Sequence, residues 1–154
     1  MENIEKREET QMQVSYSQKS DIISLVIVGS VASYYVARVW PMRAAALAGT
    51  VIPAGFGALV LVTLGLLVVS MAVLHAVLAM GVEKIPQPTA QETLAALKSR
   101  RNAFGVMVFG AVAIIGLLFV GYPAFCMANF AMLSLLLAEI TRLVSRLIYN
   151  RRNA

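Results

Sequence analysis

The sequence is poor in the residues that most chemistry requires. It contains one cysteine, one histidine and one tryptophan, and only 14% of its 154 residues are charged. A lone cysteine, Cys126, cannot form an intramolecular disulfide, a thiol relay or a cysteine-rich metal site. The GxSxG, HExxH and CxxC motifs, a phosphate-binding loop and paired carboxylates are also missing from the sequence. We therefore predict a protein that is not an enzyme and that holds no metal.

Apolar residues are abundant instead. They make up 59% of the chain, and the mean hydropathy is +0.76, whereas soluble domains are about 45–50% apolar and about 25% charged. This composition predicts an integral membrane protein whose first partner is the lipid bilayer. The net charge of +5 would suggest nucleic acid in a soluble protein. Here we attribute it to membrane topology and predict no nucleic-acid partner.

Apolar runs of about 20 residues, enough to cross a bilayer as a helix, divide the chain into four spans. Asp21 precedes the first run, and Trp40 at its end is typical of an interfacial anchor. We predict a polar N-terminal segment at 1–20 and a four-helix transmembrane domain at 21–152, with a polar loop at 83–102. The spans are expected at about 22–40, 54–81, 103–121 and 124–148.

The boundaries inside this pattern follow from local signals. Residues 44–82 would form a helix about 58 Å long at about 1.5 Å per residue, nearly twice the bilayer core. Pro53, Gly55 and Gly57 interrupt this stretch, so 44–53 is either an interfacial segment or the first part of a kinked second span. Thr89 and Glu92 have capping-box spacing, which predicts a helix from near residue 90 into the third span.

The distribution of basic residues predicts the orientation. With the N-terminus inside, eleven lysines and arginines lie on the inner side, and only Arg38 and Arg43 lie outside. Basic residues accumulate in cytoplasmic segments. We therefore predict a multi-pass membrane protein with both termini in the cytoplasm.

The fourth span carries charge inside an apolar helix. Glu139, Arg142 and Arg146 fall within about 60° of one another on the helical wheel. A neighbouring stripe of small and hydroxyl residues comprises Ala131, Ser134, Ala138, Thr141 and Ser145. Small residues allow close approach of membrane helices, so this side is predicted to face protein. The opposite side is predicted to face lipid and carries Leu136, Ile140, Leu143, Val144 and Leu147. Two interpretations of these charges are open. They form an interfacial ion pair that anchors the topology, or they have a function, either as a docking face for a partner or as a carboxylate on an ion pathway.

Two further positions are candidates for function. Gly29 and Ser33 in the first span form a small-xxx-small pair that suits helix packing. His75, the only histidine, is either a neutral hydrogen-bond donor to another span, a proton-relay group or, less favoured, a haem ligand. Apart from that haem alternative, no cofactor is predicted.

The C-terminal sequence ANFAMLSLLLAEITRLVSRLIYNRR, residues 128–152, resembles an uncharacterised family of small four-span bacterial inner-membrane proteins. Asn129, the Ala138-Glu139 pair and Tyr149 followed by Arg151 and Arg152 fit the family pattern. The chain departs from it before the third span, where PQPTAQETLAALKSRR replaces an acidic cluster that is usual in the family. The resemblance covers the last third of the chain and implies a fold and a location, but no activity.

The leading functional hypothesis is a non-enzymatic membrane protein that acts through helix–helix association. It would be a homo-oligomer or an accessory subunit of a membrane complex. The docking surface would combine the small-residue stripes of the first and fourth spans with Glu139, Arg142 and Arg146. The alternative is a small oligomeric transporter or channel that uses Glu139 or His75.

Overall fold

The computed structural model describes residues 2–48, 52–80 and 90–152, which form five helices and, over these ranges, no strand. The helices are α1 (Glu2–Val39), α2 (Met42–Ala48), α3 (Phe56–Met80), α4 (Ala90–Phe119) and α5 (Ala124–Arg152). The predicted all-α fold class is confirmed. Residues 2–20, predicted as a separate polar segment, belong to the same continuous helix as the first span.

Four of these helices are long and apolar enough to cross a membrane. Their membrane-compatible segments are Ser20–Val39, Phe56–Leu74, Ala90–Phe119 and Ala124–Asn150. By helix length and apolar composition, the prediction of a multi-pass membrane protein with four spans is confirmed. The predicted loop 83–102 is helical from Ala90 onward, in agreement with the capping-box signal, and 83–89 lie outside the described ranges.

The segment between the first two spans forms a short helix of its own. α2 ends at Ala48, and α3 begins only at Phe56, directly after Gly55, whose φ is +84°. Glycine adopts this left-handed backbone at no steric cost, so it can end a turn immediately before a helix. The separate-segment alternative therefore agrees with the structure, and the second span starts two residues later than predicted.

A tight turn at Gly121-Tyr122-Pro123 joins α4 to α5. The Tyr122 N–H donates to the Leu117 carbonyl over 3.1 Å, and the Gly121 N–H donates to the Leu118 carbonyl over 3.1 Å. This pair of bonds with Gly121 at φ +75° is a Schellman C-cap. Pro123 then accepts the first hydrogen bond of α5 from the Cys126 N–H over 2.9 Å, so the two helices run antiparallel.

The helices pack in the order α3, α1, α5, α4. Along the described chain, the extensive contacts join α4 to α5, α5 to α1, and α1 to α3. α5 is therefore covered on two sides, which buries Leu136 and Leu143 to 2% exposure each. The prediction that these two leucines face lipid was wrong. Lipid tails are as apolar as leucine, so hydrophobicity alone cannot distinguish a lipid-facing side from a side covered by another helix.

Candidate functional site

The most polar part of the bundle lies where α1 begins its span and α5 ends. Arg146 Nη1 donates to Asp21 Oδ1 over 3.0 Å, and the Asp21 side chain is only 3% exposed. The second carboxylate oxygen, Asp21 Oδ2, is also buried and has no hydrogen-bond partner among the described residues. A buried carboxylate depends on its cation, because an unpaired charge in a low-dielectric interior is costly. Asp21 therefore holds α1 and α5 in one register.

The charges of the fourth span are divided between two ion pairs. Arg142 Nε donates to Glu139 Oε2 over 2.8 Å within α5, and both side chains are partly exposed. Arg146 forms an ion pair with Asp21 in another helix. The three charged residues thus lie on one side of α5, but they serve different contacts.

Hydrogen bonds join α4 to α5 at the same level. Asn102 Nδ2 donates to Ser145 Oγ and to the Tyr149 hydroxyl, both over 3.2 Å. The Lys98 ammonium lies 5.7 Å from the centre of the Tyr149 ring, within the range of a cation–π contact. We call this region the polar end and define it by Asp21, Asn102, Ser145, Arg146 and Tyr149.

The small-residue stripe of α5 is used inside the chain. Ala138 is buried at 5% exposure. A Cβ at Gly110 of α4 would lie 2.6 Å from Ser134 Cβ, so Gly110 permits the close approach of α4 to Ser134. Ser134 Oγ donates back to the Phe130 carbonyl, and Thr141 is half-buried. From Ser134 to Ser145 the stripe is buried or half-buried within the chain's own bundle, whereas Ala131 is exposed.

The candidate residues of the first span face outward. Ser33 is exposed, and its hydroxyl donates to the Gly29 carbonyl over 2.8 Å, while a Cβ at Gly29 would meet no atom within 4 Å. Nothing in the described chain packs closely on these two residues. His75 lies in α3, but its side chain is outside the described part of the structure, so the haem and proton-relay hypotheses remain predictions.

Two cavities meet at Arg142. A cleft of about 310 Å³ with both charged and apolar lining lies between α4 and α5 and is lined by Glu92, Thr93, Ala96, Leu97, Ser99, Arg100, Arg142 and Arg146. A mainly apolar groove of about 340 Å³ lies between α3 and α5 and is lined by Val28, Leu67, Val68, Met71, Glu139 and Arg142. We call these the cleft and the groove. Both bring candidate site residues of the fourth span together with residues of a neighbouring helix.

The opposite end of the bundle is held mainly by aromatic side chains. Tyr35 is fully buried, and its hydroxyl donates to Asn129 Oδ1 of α5 over 2.9 Å. The rings of Phe56 in α3 and Phe125 in α5 meet edge to face with centres 4.8 Å apart. Arg43 lies over the Trp40 ring at 5.8 Å, consistent with the predicted interfacial anchor. We call this region, defined by Tyr35, Trp40, Phe56, Phe125 and Asn129, the aromatic end.

Sequence reasoning missed three residues that organise the site: Asp21, Asn102 and Gly110. Asp21 is the only aspartate in the chain, and its place at a span boundary was used only to mark that boundary. Its partner is 125 residues away in the sequence, so no local spacing could identify the pair. Only a weak indication of Asn102 was present in the sequence, because it is a polar amide at the start of the apolar run that forms the third span.

Comparisons of the chain with models of protein families, with curated proteins and with solved structures gave no match. The resemblance to small four-span bacterial proteins therefore remains a prediction.

Proposed function

We propose that the protein is a non-enzymatic membrane protein that acts through helix–helix association in a bacterial inner membrane, as a homo-oligomer or an accessory subunit. The observation that carries this proposal is the outward face of α1. Val26, Ser30, Ser33 and Ala37 follow one another at helical spacing on this face, and all four are exposed. Gly29 lies beside them with open space around its Cβ position.

A face of this kind suits a second helix better than lipid. The side chains of Ser30 and Ser33 donate to carbonyl groups of their own helix, at 2.8 Å each, so their polar hydrogens are satisfied and their surface is small. Small residues let helix backbones approach closely, and this packing drives association where lipid and helix are equally apolar. Most of the small-residue face of α5 is covered within the chain, so we propose α1 as the docking helix.

The outward faces of α3 and α4 are suited to lipid. α3 and α4 present bulky apolar side chains outward, including Leu61 at 71% and Phe109 at 72% exposure. Large apolar residues of this kind suit contact with acyl chains. α3 and α4 would therefore contact lipid.

The proposed orientation places the polar end at the cytoplasmic face. Asp21, Asn102 and Arg146 come from the start of the first span, the start of the third and the end of the fourth. In a four-span topology these positions lie on the same side of the membrane. The excess of basic residues in the flanking segments, eleven against two, favours the cytoplasm for that side.

The test compares Ser33→Leu in α1 with Ala111→Leu in α4. Both substitutions place a large side chain at an exposed helical position. We expect the wild-type protein to self-associate, or to retain a partner identified by mass spectrometry, after extraction in mild detergent. Ser33→Leu is expected to abolish this association, and Ala111→Leu to preserve it. A monomeric wild-type protein without a partner, or equal loss in both variants, would refute the proposal.

A small oligomeric transporter or channel is the second candidate, because Glu139 lines the groove at a depth within the bilayer. Its test is flux into liposomes by wild type and Glu139→Gln. A transport role for the carboxylate predicts loss of flux in the variant, whereas equal flux in both would remove Glu139 from the pathway. No flux in either protein would remove this class of function.

A further inference from the structure

The cleft and the groove differ in chemistry but share one side chain. The cleft is lined by three arginines and one glutamate, whereas four of the six groove residues are aliphatic or methionine. Arg142 belongs to both. We infer that the cleft and the groove together bind one anionic phospholipid, with its phosphate among Arg100, Arg142 and Arg146 and one acyl chain along the groove.

The depth of each part fits such a molecule. Arg146 lies level with Asp21 at the start of the first span, where the bilayer interface is expected. Arg142 is about one helical turn deeper, about 6 Å at about 1.5 Å per residue, and Val28, seven residues beyond Asp21, is about 10 Å deeper than Asp21 on the same measure. A headgroup at the arginines and a chain along the groove would follow the normal direction of a lipid in its leaflet.

The groove also opens in the correct direction. At the aromatic end, the contact between Phe56 and Phe125 brings α3 against α5. Nearer the polar end, α3 and α5 are separated, and the groove lies between Leu67, Val68 and Met71 on one side and Glu139 on the other. A chain that enters beside Arg142 therefore meets an open apolar channel that closes towards the opposite leaflet.

Charge favours an anionic headgroup over a neutral one. Among the described side chains, three arginines, Arg100, Arg142 and Arg146, and two carboxylates, Glu92 and Glu139, line the cleft and the groove, and the carboxylate of Asp21 pairs with Arg146. Glu139 is the single hydrogen-bond partner of Arg142 among the described residues and takes only its Nε–H. A guanidinium carries five N–H donors, so Arg142 keeps donors for a phosphate. Basic sites between membrane helices at the cytoplasmic side are a recurrent mode of acidic-lipid recognition.

The volumes agree with a site for a ligand of modest size. The cleft and the groove measure about 310 Å³ and about 340 Å³, each at the lower limit of about 300–1,000 Å³ for ligand sites. One headgroup and one acyl chain would share them, and the second chain would remain in the surrounding bilayer. The site does not depend on oligomer formation, since all its residues come from one chain.

The experiment uses the full chain, delipidated in mild detergent, with native mass spectrometry and thermal unfolding as readouts. We expect one phosphatidylglycerol to remain bound per chain and to raise the unfolding temperature, with a weaker effect of phosphatidylcholine. Glycerophosphoglycerol, the headgroup without chains, should give no measurable shift. Equal effects of the two lipids, or a full effect of the free headgroup, would overturn the proposal.

Two pairs of variants locate the site. Arg100→Gln should weaken phosphatidylglycerol binding about fivefold, the contribution of roughly one interfacial arginine, whereas Arg101→Gln, on the next residue but outside the cleft, should leave it unchanged. Val68→Trp, which fills the groove, should abolish retention of the lipid, and Leu61→Trp, two turns away on α3, should preserve it. If each variant matched its control, the lipid would be bound elsewhere and the assignment would be wrong.

Discussion

The two ends of the bundle are joined by different forces. At the polar end, α1 and α5 are linked by the ion pair between Asp21 and Arg146, and α4 and α5 by the amide of Asn102. At the aromatic end, α3 and α5 meet through Phe56 and Phe125, and a part-buried hydrogen bond from the Tyr35 hydroxyl to Asn129 joins α1 to α5. Both ends fix the register of α1 against α5, but only the polar end does so with buried charge.

This difference teaches where specificity and stability reside. An apolar interface between membrane helices gains little over contact with lipid, so the polar contacts select one register among many of similar packing. A buried ion pair contributes little net stability when intact, yet removal of one partner is strongly destabilising. The polar end should therefore tolerate single substitutions poorly, and the aromatic end should tolerate them well.

The largest effect is expected at Arg146. Arg146→Met leaves the buried Asp21 carboxylate without its cation, and we expect a loss of about 3 kcal/mol in the free energy of unfolding, at the lower limit for a broken buried pair. Unfolding in mixed micelles titrated with denaturing detergent measures this loss. Asp21→Asn in the Arg146→Met background should restore most of it, because it removes the stranded charge.

The matched control is Arg101→Met, an exposed arginine of α4, which should change stability by less than about 0.5 kcal/mol. If Arg146→Met were equally mild, the ion pair would not hold the polar end together, and the contrast between the two ends would be lost.

A smaller effect is expected midway between the ends, where α4 meets α5. Gly110→Ala places a methyl group 2.6 Å from Ser134 Cβ, so the helices must separate. Overpacking of this kind costs about 1–3 kcal/mol. Thermal unfolding should show the loss, and Ser134→Gly in the same chain should relieve it.

Gly105→Ala provides the control on the same helix, since a Cβ there meets no atom within 4 Å. It should be neutral or stabilising by about 0.5–1 kcal/mol, the usual gain for alanine over glycine in a helix. Equal losses at both glycines would show that α4 and α5 do not approach closely at Ser134.

At the aromatic end, Tyr35→Phe should cost about 1 kcal/mol, a typical value for one hydrogen bond between membrane helices. The substitution removes the buried Tyr35 hydroxyl, so the side-chain oxygen Oδ1 of Asn129 loses this hydrogen bond. Unfolding of Tyr34→Phe, whose neighbouring hydroxyl makes no hydrogen bond in the described residues, should match wild type. A loss at Tyr35 as large as that at Arg146 would contradict the proposed difference between the ends.

The smallest effect is expected at Arg38. Its guanidinium lies 5.7 Å from the centre of the Tyr34 ring and is exposed, so Arg38→Gln should cost about 0.5 kcal/mol, the value for an exposed cation–π contact. The same unfolding titration measures it. A cost near that of Arg146→Met would show that the two ends are equally sensitive to loss of a cation.

The sequence predicted the fold more fully than the site, for a physical reason. Spans and turns are local properties: twenty apolar residues form a membrane helix, and Gly121 before Pro123 forms a turn. The separate helix α2 could be placed because Pro53 and Gly55 interrupt an apolar run. The choice of neighbours is not local. Arg146 lies on the same side of α5 as Glu139, but its partner in the bundle is Asp21, which no periodicity could reveal.

The same limit explains the error at Leu136 and Leu143. The face of α5 that carries them is apolar enough for lipid, and only the position of α1 and α4 decides that it is buried. The outward position of Ser33 likewise depends on which side of α1 is covered by α3 and α5. Candidate residues could therefore be identified from their chemistry, but their roles required the packing order of the helices.

The central claim is that four spans bring the start of α1 and the end of α5 to one side of the membrane. Labelling with a membrane-impermeant maleimide tests it directly, in a Cys126→Ser background with single cysteines at Gln11, Trp40, Tyr122 or Asn153. The proposed topology predicts that the cysteines at Trp40 and Tyr122 react in intact cells, and that those at Gln11 and Asn153 react only after lysis. Reaction of Gln11 and Asn153 from opposite sides of the membrane would contradict it.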